Sequence, residues 1–210
     1  MDLIRHTPAD STADPSWSAV RVTATLTTPA VGIDTHPMHL DGPASWAAYQ
    51  AYITRHGHAS LPPMTDTHAV DFALPLATWS RDGHWGWACS RAIYDPLGYT
   101  TTAVRRRPAA DEMARLAPDR KHSLAAGPMK ARDTPLPATI VHEITWYALA
   151  HPDELRSLLG RVWSIGRLGR HGHGRIRAWT VTEHTDRTAW EDRDWTGPTR
   201  APYHHPTRRR

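Results

Sequence analysis

Alternating apolar and polar residues mark the strands in the first half of the chain. Every second position from residue 20 to residue 26 is apolar, with arginine or threonine between. Because side chains on a strand point alternately to its two faces, this pattern predicts a half-buried strand. Similar alternation over residues 70–76 and 85–89 predicts two more strands. The segment Arg81-Asp82-Gly83 between them is typical of a hairpin turn.

The first helix is predicted between residues 42 and 55. Asp41 is placed to cap it, Pro43 fits its first turn, and Gly57 lies just beyond its end. Helical spacing predicts an inner face formed by Trp46, Tyr49 or Gln50, and Ile53.

A strand, a helix and a further strand are predicted in the second half. The strand covers residues 139–148, and the helix opens at Pro152. Its apolar residues recur at positions i, i+3, i+4 and i+7, namely Leu155, Leu158, Leu159 and Val162. The last strand covers residues 175–182. Residues 94–137 are the least regular part of the chain, and we expect them to form an insertion that projects from the fold.

The order of these elements predicts the fold class. It is that of an α+β, ferredoxin-like (RRM-like) β-α-β-β-α-β unit, which we place at residues 18–185 as a single domain. Such a unit packs two helices on one face of an antiparallel sheet and leaves the other face free for a partner. Residues 1–17 and 186–210 are expected to be flexible or irregular, with a mobile tail after Trp190.

Composition narrows the class of partner and the compartment. All but two of the 25 basic residues are arginines, and the isoelectric point is about 9.6. Arginine suits phosphate and base contacts, although GC-rich codons also raise its frequency. Cys89 is the single cysteine, so no intrachain disulfide can form, and a cytoplasmic location is expected. We expect no membrane association, because the chain has no apolar run of spanning length and no signal for secretion.

The segment with the clearest chemistry is the glycine- and arginine-rich loop at residues 164–177. Closely spaced glycines let backbone N–H groups turn together toward an anion, and arginines add charge. A phosphate-binding loop is therefore predicted, formed by residues Gly166, Arg167, Gly169, Arg170, His171, Gly172, His173, Gly174, Arg175 and Arg177. The loop follows a helix and precedes a strand, the reverse of a nucleotide-binding motif, so no nucleotide cofactor is expected.

Other basic and aromatic residues have two interpretations each. Arg105, Arg106 and Arg107, together with Lys130 and Arg132, are candidate phosphate contacts, but solvated charges explain such runs more often. His171 and His173 could also serve as acid and base in RNA cleavage, or simply lie on the surface. No metal site is expected, since the chain has one cysteine and no well-spaced second histidine pair. Most tryptophans, Trp163 and Trp179 among them, are interpreted as core residues.

Several segments resemble a known family. The run from Leu155 to Gly166, the loop up to Gly174 and the segment Arg175–Trp179 resemble the glycine-rich loop of the RAMP superfamily of CRISPR-associated proteins. Within it, the chain is most similar to the type IV subunit that caps the 5′ handle of the guide RNA. Residues 38–42, 74–76 and 85–90 carry the same likeness, which touches most of residues 20–182.

This resemblance implies a function and partners. It implies a RAMP domain with a thumb-like insertion, which binds the 5′ handle of the guide RNA (crRNA) and caps a filament of backbone RAMP subunits. The implied partners also include a large subunit of the same effector complex and, indirectly, target DNA. A non-catalytic role is expected. The alternatives are a metal-independent endoribonuclease that processes precursor guide RNA, and a scaffold protein whose basic loop binds an acidic subunit.

Overall fold

The computed structural model describes residues 3, 4, 6–35, 37–65, 69–106, 115, 132–192 and 201 of the 210-residue chain. Ten strands and two α-helices lie in these residues, with three short 3-10 turns. The strands are, in chain order, β1 (Leu3–Ile4), β2 (Ser18–Leu26), β3 (Ala30–Val31), β4 (Asp71–Phe72), β5 (Thr78–Arg81), β6 (His84–Trp87), β7 (Gly98–Arg106), β8 (Arg132–Ile140), β9 (Glu143–Ala150) and β10 (Ile176–Glu183). The helices are α1 (Asp41–His56) and α2 (Pro152–Leu159).

The central sheet contains three antiparallel strands in the order β10-β2-β9. Val22 of β2 lies between Val181 of β10 and Trp146 of β9, and all three side chains are buried. Thr23 and its neighbour Thr145 lie on the opposite face of the sheet. The alternation predicted for residues 20–26 is therefore confirmed, and so is the α+β class.

Both helices contribute to one core with the buried face of this sheet. Leu155, Leu158 and Leu159 of α2 are buried, as their spacing predicted. The inner face predicted for α1 is wrong in one respect, because Trp46 is 42% exposed. The buried residues of α1 are Asp41 and the small residues Ala44, Ala47 and Ala48. The alanines belong to the core cluster that α1 shares with α2 and the sheet, and the large indole is left largely exposed.

The hairpin of β5 and β6 has the turn that the sequence predicted. Asp82 and Gly83 are its two central residues, and both have positive φ angles, 51° and 75°. Two positive φ angles in a two-residue loop match the twist of the flanking strands. The first strand of the hairpin begins at Thr78, so the strand predicted over residues 70–76 is wrong. That segment contains only the short β4 and a bridge from Leu76 to Ala150.

The segment predicted to be least regular begins and ends in a regular ribbon. β7 and β8 pair over their whole length, from Gly98 opposite Ile140 to Arg106 opposite Arg132. Their threonine-rich, solvent-exposed sequence has no strong apolar alternation, which explains why the ribbon was not predicted. The strand predicted over residues 139–148 is in fact two strands, β8 and β9, separated at Val141 and His142.

The chain on either side of the predicted domain also packs onto it. Arg187 donates hydrogen bonds to the carbonyl oxygens of Trp17, Thr12 and Asp14. Trp190 is buried in a second apolar cluster with Trp79 of the hairpin and other residues. Of the tail that was predicted to be mobile, the structure describes only Glu191, Asp192 and the buried Ala201. Among the described residues, no helix is long and apolar enough to cross a membrane.

Candidate nucleic-acid interface

The glycine-rich loop is held at its neck by a short ladder of hydrogen bonds. Ser164 and Arg175 form an antiparallel bridge. Ile165 donates its N–H to the carbonyl of Gly174 at 2.8 Å, and Ile176 donates to the carbonyl of Trp163 at 3.0 Å. The loop therefore starts and ends at one fixed point beside the first residue of β10.

The loop also docks on the segment that precedes and contains β3. Arg167 donates its N–H to the carbonyl of Val31 at 2.8 Å, and Gly174 donates to the carbonyl of Pro29 at 2.9 Å. The Thr28 hydroxyl donates to the carbonyl of Gly172 at 2.8 Å and accepts from the N–H of Arg175 at 2.9 Å. These contacts fix the backbone of the loop on both of its sides.

Most of the loop amides are consequently engaged within the protein. The N–H groups that donate to protein acceptors are those of Ile165, Arg167, His171, Gly172, His173, Gly174, Arg175 and Ile176. The interpretation that bare amides of this segment turn together toward an anion is therefore wrong for these residues. Their donors are satisfied, so an anion would meet the side chains of the loop first.

Three of the glycines lie where the packing of the protein on itself leaves no free space for a Cβ. A Cβ on Gly166 would lie 2.6 Å from the carbonyl oxygen of Val31. On Gly174 it would overlap the carbonyl oxygen of Ile165, and on Gly169 it would overlap the hydroxyl of Ser164. Gly172 differs, since a Cβ there would meet nothing within 4 Å, although its φ of 91° still favours glycine. The close approach is made by the chain's own backbone at Gly166 and Gly174, and by the Ser164 side chain at Gly169.

The charged side chains of the loop point to solvent. Arg167, Arg170, His171, Arg175 and Arg177 are all exposed. None of them pairs with a carboxylate within the described ranges, whereas the arginines at positions 81, 91, 105 and 156 do. Arg177 sits at a break in the register between β10 and β2, where an extra residue re-aims the side chain. The loop thus presents uncompensated positive charge on a fixed backbone.

The ribbon touches this loop through one polar contact. The Thr102 hydroxyl and the Nε2 atom of the half-buried His173 are 3.1 Å apart. Arg132 pairs with Arg106, which is four residues from Thr102 along β7. Side chains an even number of residues apart share a face of the strand, so Arg132 and Thr102 lie on the same face of the ribbon. Arg132 is exposed and lies further along the ribbon than this contact.

Arg105 lies on the other face of the ribbon and already has a partner. Its Nε and terminal nitrogen donate to the two carboxylate oxygens of Asp133 at 2.9 and 3.0 Å. These hydrogen bonds hold the pKa of the Asp133 carboxyl below its ordinary value. The structure therefore does not bring Arg105 together with the loop arginines. Arg107 and Lys130 lie outside the described residues, as does the side chain of Arg106.

One aromatic residue at the interface was misassigned from the sequence. Trp163 was interpreted as a core residue, but it is 42% exposed and immediately precedes the loop. The guanidinium carbon of Arg175 lies 4.9 Å from the centroid of its ring. Trp179, by contrast, is packed against the core and donates its indole N–H to the carbonyl of Val162 at 2.9 Å. Helical spacing did not reveal this, because residue 163 still falls at i+4 from Leu159, whereas α2 ends at Leu159 and the spacing no longer applies beyond it.

A separate cleft of about 490 Å³ lies next to the ribbon base and is lined mainly by residues 33–35, 37, 38, 91–94 and 96. Tyr94 donates its hydroxyl to the Asp34 carboxylate at 2.6 Å, and Thr139 donates to the other oxygen of that carboxylate. Burial, followed by this hydrogen bond, raises the pKa of the Tyr94 hydroxyl far above its ordinary value. Within the described part of the chain, no three potential metal-ligating side chains cluster here or elsewhere.

The fold and the loop together define an α+β protein with a rigid, basic glycine-rich loop at the edge of an antiparallel sheet. The chain belongs to the family of the CRISPR type IV associated protein Csf3, whose family model matches residues 100–207. That match spans just over half of the chain and includes most of the ribbon, α2, the loop and β10. The resemblance to type IV CRISPR-associated proteins is thereby confirmed.

Comparison with solved structures adds similarity in structure. No curated protein matches the chain. A chain in the cryo-EM structure of the Type III-B Cmr-beta bound to cognate target RNA superposes with a TM-score of 0.41 and 9% sequence identity. The superposition covers 80% of this chain and 61% of that one, so this chain spans less than two thirds of its length.

Proposed function

We propose that this chain is a non-catalytic RNA-binding subunit of a type IV CRISPR effector ribonucleoprotein. In this role it holds the 5′ handle of the guide RNA with the loop at residues 164–177 and caps the filament of backbone subunits. The observation that carries the proposal is the set of exposed arginines at positions 167, 170, 175 and 177, which have no carboxylate partner among the described residues. Unpaired guanidinium groups suit RNA phosphates.

The rigidity of the loop supports the proposal. Eight of its backbone amides are hydrogen-bonded: two donate to the carbonyls of Pro29 and Val31, one donates to the Thr28 hydroxyl, and five donate to acceptors within residues 163–176. Ordering a flexible loop costs free energy when a ligand binds, and a loop that is already ordered avoids that cost. The arginines are thus presented by a preorganised backbone, with Arg132 of the ribbon on the face that touches the loop.

The strand order supports a ferredoxin-like RAMP domain. In such a domain the last strand, the first and the third lie side by side, as β10, β2 and β9 do here. The second strand would lie at the free edge of β9, where this chain has isolated bridges from Leu76, Cys89 and Ile93. On this interpretation the second strand is reduced to single pairings, and the ribbon of β7 and β8 is the base of the thumb-like insertion.

Arg170→Gln tests the site with purified full-length protein and a fluorescein-labelled single-stranded RNA that carries the 5′ handle. Losing a charge-assisted phosphate contact of about 1.5–3 kcal/mol should weaken binding by about 10- to 140-fold. The matched control is Arg55→Gln in the last turn of α1, which removes the same charge from another exposed position. Equal effects of the two substitutions would contradict the assignment of the loop.

Sequencing of co-purified RNA tests the capping role. RNA that is recovered with the assembled effector complex, after crosslinking to this subunit, should share one constant 5′ end. A random distribution of crosslinked positions along the RNA would instead indicate general RNA coating.

The endoribonuclease alternative makes a different prediction for the same sample. Cleavage by attack of a ribose 2′-hydroxyl needs an acid and a base at the scissile phosphate. His173 is already hydrogen-bonded to Thr102, and His171 points to solvent. Incubation of repeat RNA with the protein and EDTA should therefore leave it intact; a specific cut that yields a cyclic phosphate would overturn the non-catalytic assignment.

A further inference from the structure

Trp163 and Arg175 form a cation–π pair at the neck of the basic loop. The guanidinium carbon of Arg175 lies 4.9 Å from the centroid of the Trp163 ring, a cation–π distance. Both residues have fixed backbones. The carbonyl of Trp163 accepts from Ile176 at 3.0 Å, and Arg175 is bridged to Ser164 and bound to Thr28. The pair is therefore a preorganised surface feature and does not depend on a flexible loop.

The exposure of the pair distinguishes it from the other tryptophan contacts nearby. Trp146 is fully buried, and Trp179 is half-buried against it with a ring separation of 5.7 Å. Trp163 leaves 42% of its surface exposed, and Arg175 is exposed beside it. An indole and a guanidinium plane are both flat and polarisable, and each offers a face on which a nucleobase can stack.

The location of the pair indicates which chemistry it serves. Trp163 directly precedes the loop that carries Arg167 and Arg170, and Arg175 closes the same loop. A phosphate held by those arginines belongs to a nucleotide whose base must be accommodated nearby. Single-stranded RNA satisfies both needs, because its bases are free to leave the strand and stack on protein side chains.

We propose that Trp163 and Arg175 form a stacking subsite for one nucleobase of single-stranded RNA, next to the phosphate-binding arginines. The proposal rests on the proposed RNA-binding function and deepens it by assigning two kinds of contact. Arg167, Arg170 and Arg177 contact phosphates, and Arg175 is held over the indole as part of the base platform. Stacking tolerates any base, so the subsite positions the RNA without selecting its sequence.

Trp163→Ala is the direct test, measured with full-length protein and the labelled single-stranded RNA. Loss of one base stack should weaken binding by about 5- to 140-fold. It should leave the slope of log affinity against log salt unchanged, because no phosphate contact is lost. Trp163→Phe should retain most of the affinity. Trp46→Ala is the matched control, since Trp46 is also 42% exposed but lies on α1.

A second probe separates stacking from charge. An RNA of the same length with abasic sites keeps every phosphate and offers no base, so wild type and Trp163→Ala should bind it equally. Tryptophan emission gives a readout that a merely structural role would not move. The difference in emission between wild type and Trp163→Phe is the contribution of Trp163. Unlabelled RNA should quench this contribution, and a difference that RNA leaves unchanged would overturn the subsite.

The two proposals fail in different ways. If Arg170→Gln weakens binding and Trp163→Ala binds RNA as wild type does, the stacking subsite is wrong and the RNA-binding loop stands. If neither substitution changes RNA affinity, the proposed function itself is wrong. If Trp163→Ala lowers the salt slope as an arginine substitution does, the indole supports the charged side chains, and the stacking proposal is overturned.

Discussion

At the scale of single residues, the glycines and arginines of the loop have separate tasks. Gly166, Gly169 and Gly174 let the loop pack against its own neighbours, and the arginines are left to meet a ligand. A glycine-rich segment beside arginines therefore does not by itself indicate backbone N–H groups that are free to bind an anion. The amides of such a segment bind an anion only if the fold leaves them unpaired, and here eight of them are paired.

The glycines should therefore differ in their effect on stability. Gly172→Ala should lower the free energy of unfolding by about 1–2 kcal/mol, the cost of a left-handed conformation alone. Gly174→Ala adds an overlap with the Ile165 carbonyl to a φ of 60°, so its cost should be clearly larger. Urea unfolding followed by circular dichroism measures both. Equal losses for the two variants would contradict the packing of the loop described above.

Single residues also mark where sequence reasoning reached its limit. The loop could be found from its composition, but the sequence does not tell which chain approaches its glycines. Trp46 was predicted on the inner face of α1 from helical spacing, and Trp163 was interpreted as a core residue, yet both are 42% exposed. The buried face of α1 is instead formed by Ala44, Ala47 and Ala48, whose small size gives a weak periodic signal.

At the scale of elements, strong patterns were predicted well and weak ones were missed. The alternation in β2 and the leucine spacing in α2 both reflect a single buried face, which a sequence records clearly. β7 is exposed along most of its length, so no apolar period marks it. β8 and β9 were merged into one strand because only Val141 and His142 separate them.

The ribbon of β7 and β8 supplies a test of the predicted contact at Arg105. Asp133→Asn should release this arginine, which the carboxylate now holds at 2.9 and 3.0 Å. If Arg105 reaches RNA, we expect tighter binding and a salt slope that is steeper by about 0.7 unit. Asp153→Asn is the matched control, because it releases Arg156 on α2. An unchanged slope in Asp133→Asn would remove Arg105 from the interface.

The pH dependence of the same ion pair follows from the lowered pKa of Asp133. The hydrogen bond from Arg105 holds this pKa below the ordinary value of 3.8. The pair is thus intact above that value and opens only as the pH falls through the lowered pKa. Between pH 5 and pH 8, about the range of stable folding, Asp133 should not change the affinity for RNA.

At the scale of the whole molecule, segments from both ends of the chain complete the fold. Arg187 binds three carbonyl oxygens in the segment from Thr12 to Trp17. Trp190 packs with Trp79 and Leu149 and covers part of the sheet face that does not carry the helices. Thr23 and Thr145, on the same face, are not part of this apolar cluster. The terminal segments thus belong to the domain's packing.

Trp190→Ala should show how much this packing contributes. Removing a buried indole typically costs about 3–5 kcal/mol in the free energy of unfolding. Trp190 is 4% exposed, whereas Trp46 is 42% exposed. Trp46→Ala is therefore the control, and it should lower the free energy of unfolding only slightly. A denaturant series that shows similar midpoints for both variants would mean that residues 189–191 do not contribute to the stability of the domain.

The salt dependence of RNA binding tests the central claim, that the side chains of the loop hold RNA phosphates. The comparison is between wild type and a triple variant in which Arg167, Arg170 and Arg177 are replaced by glutamine. We expect the triple variant to lose about 2 units from the slope of log affinity against log salt, roughly 0.7 for each phosphate contact on a single strand. A triple variant with the wild-type slope and the wild-type affinity would contradict that claim.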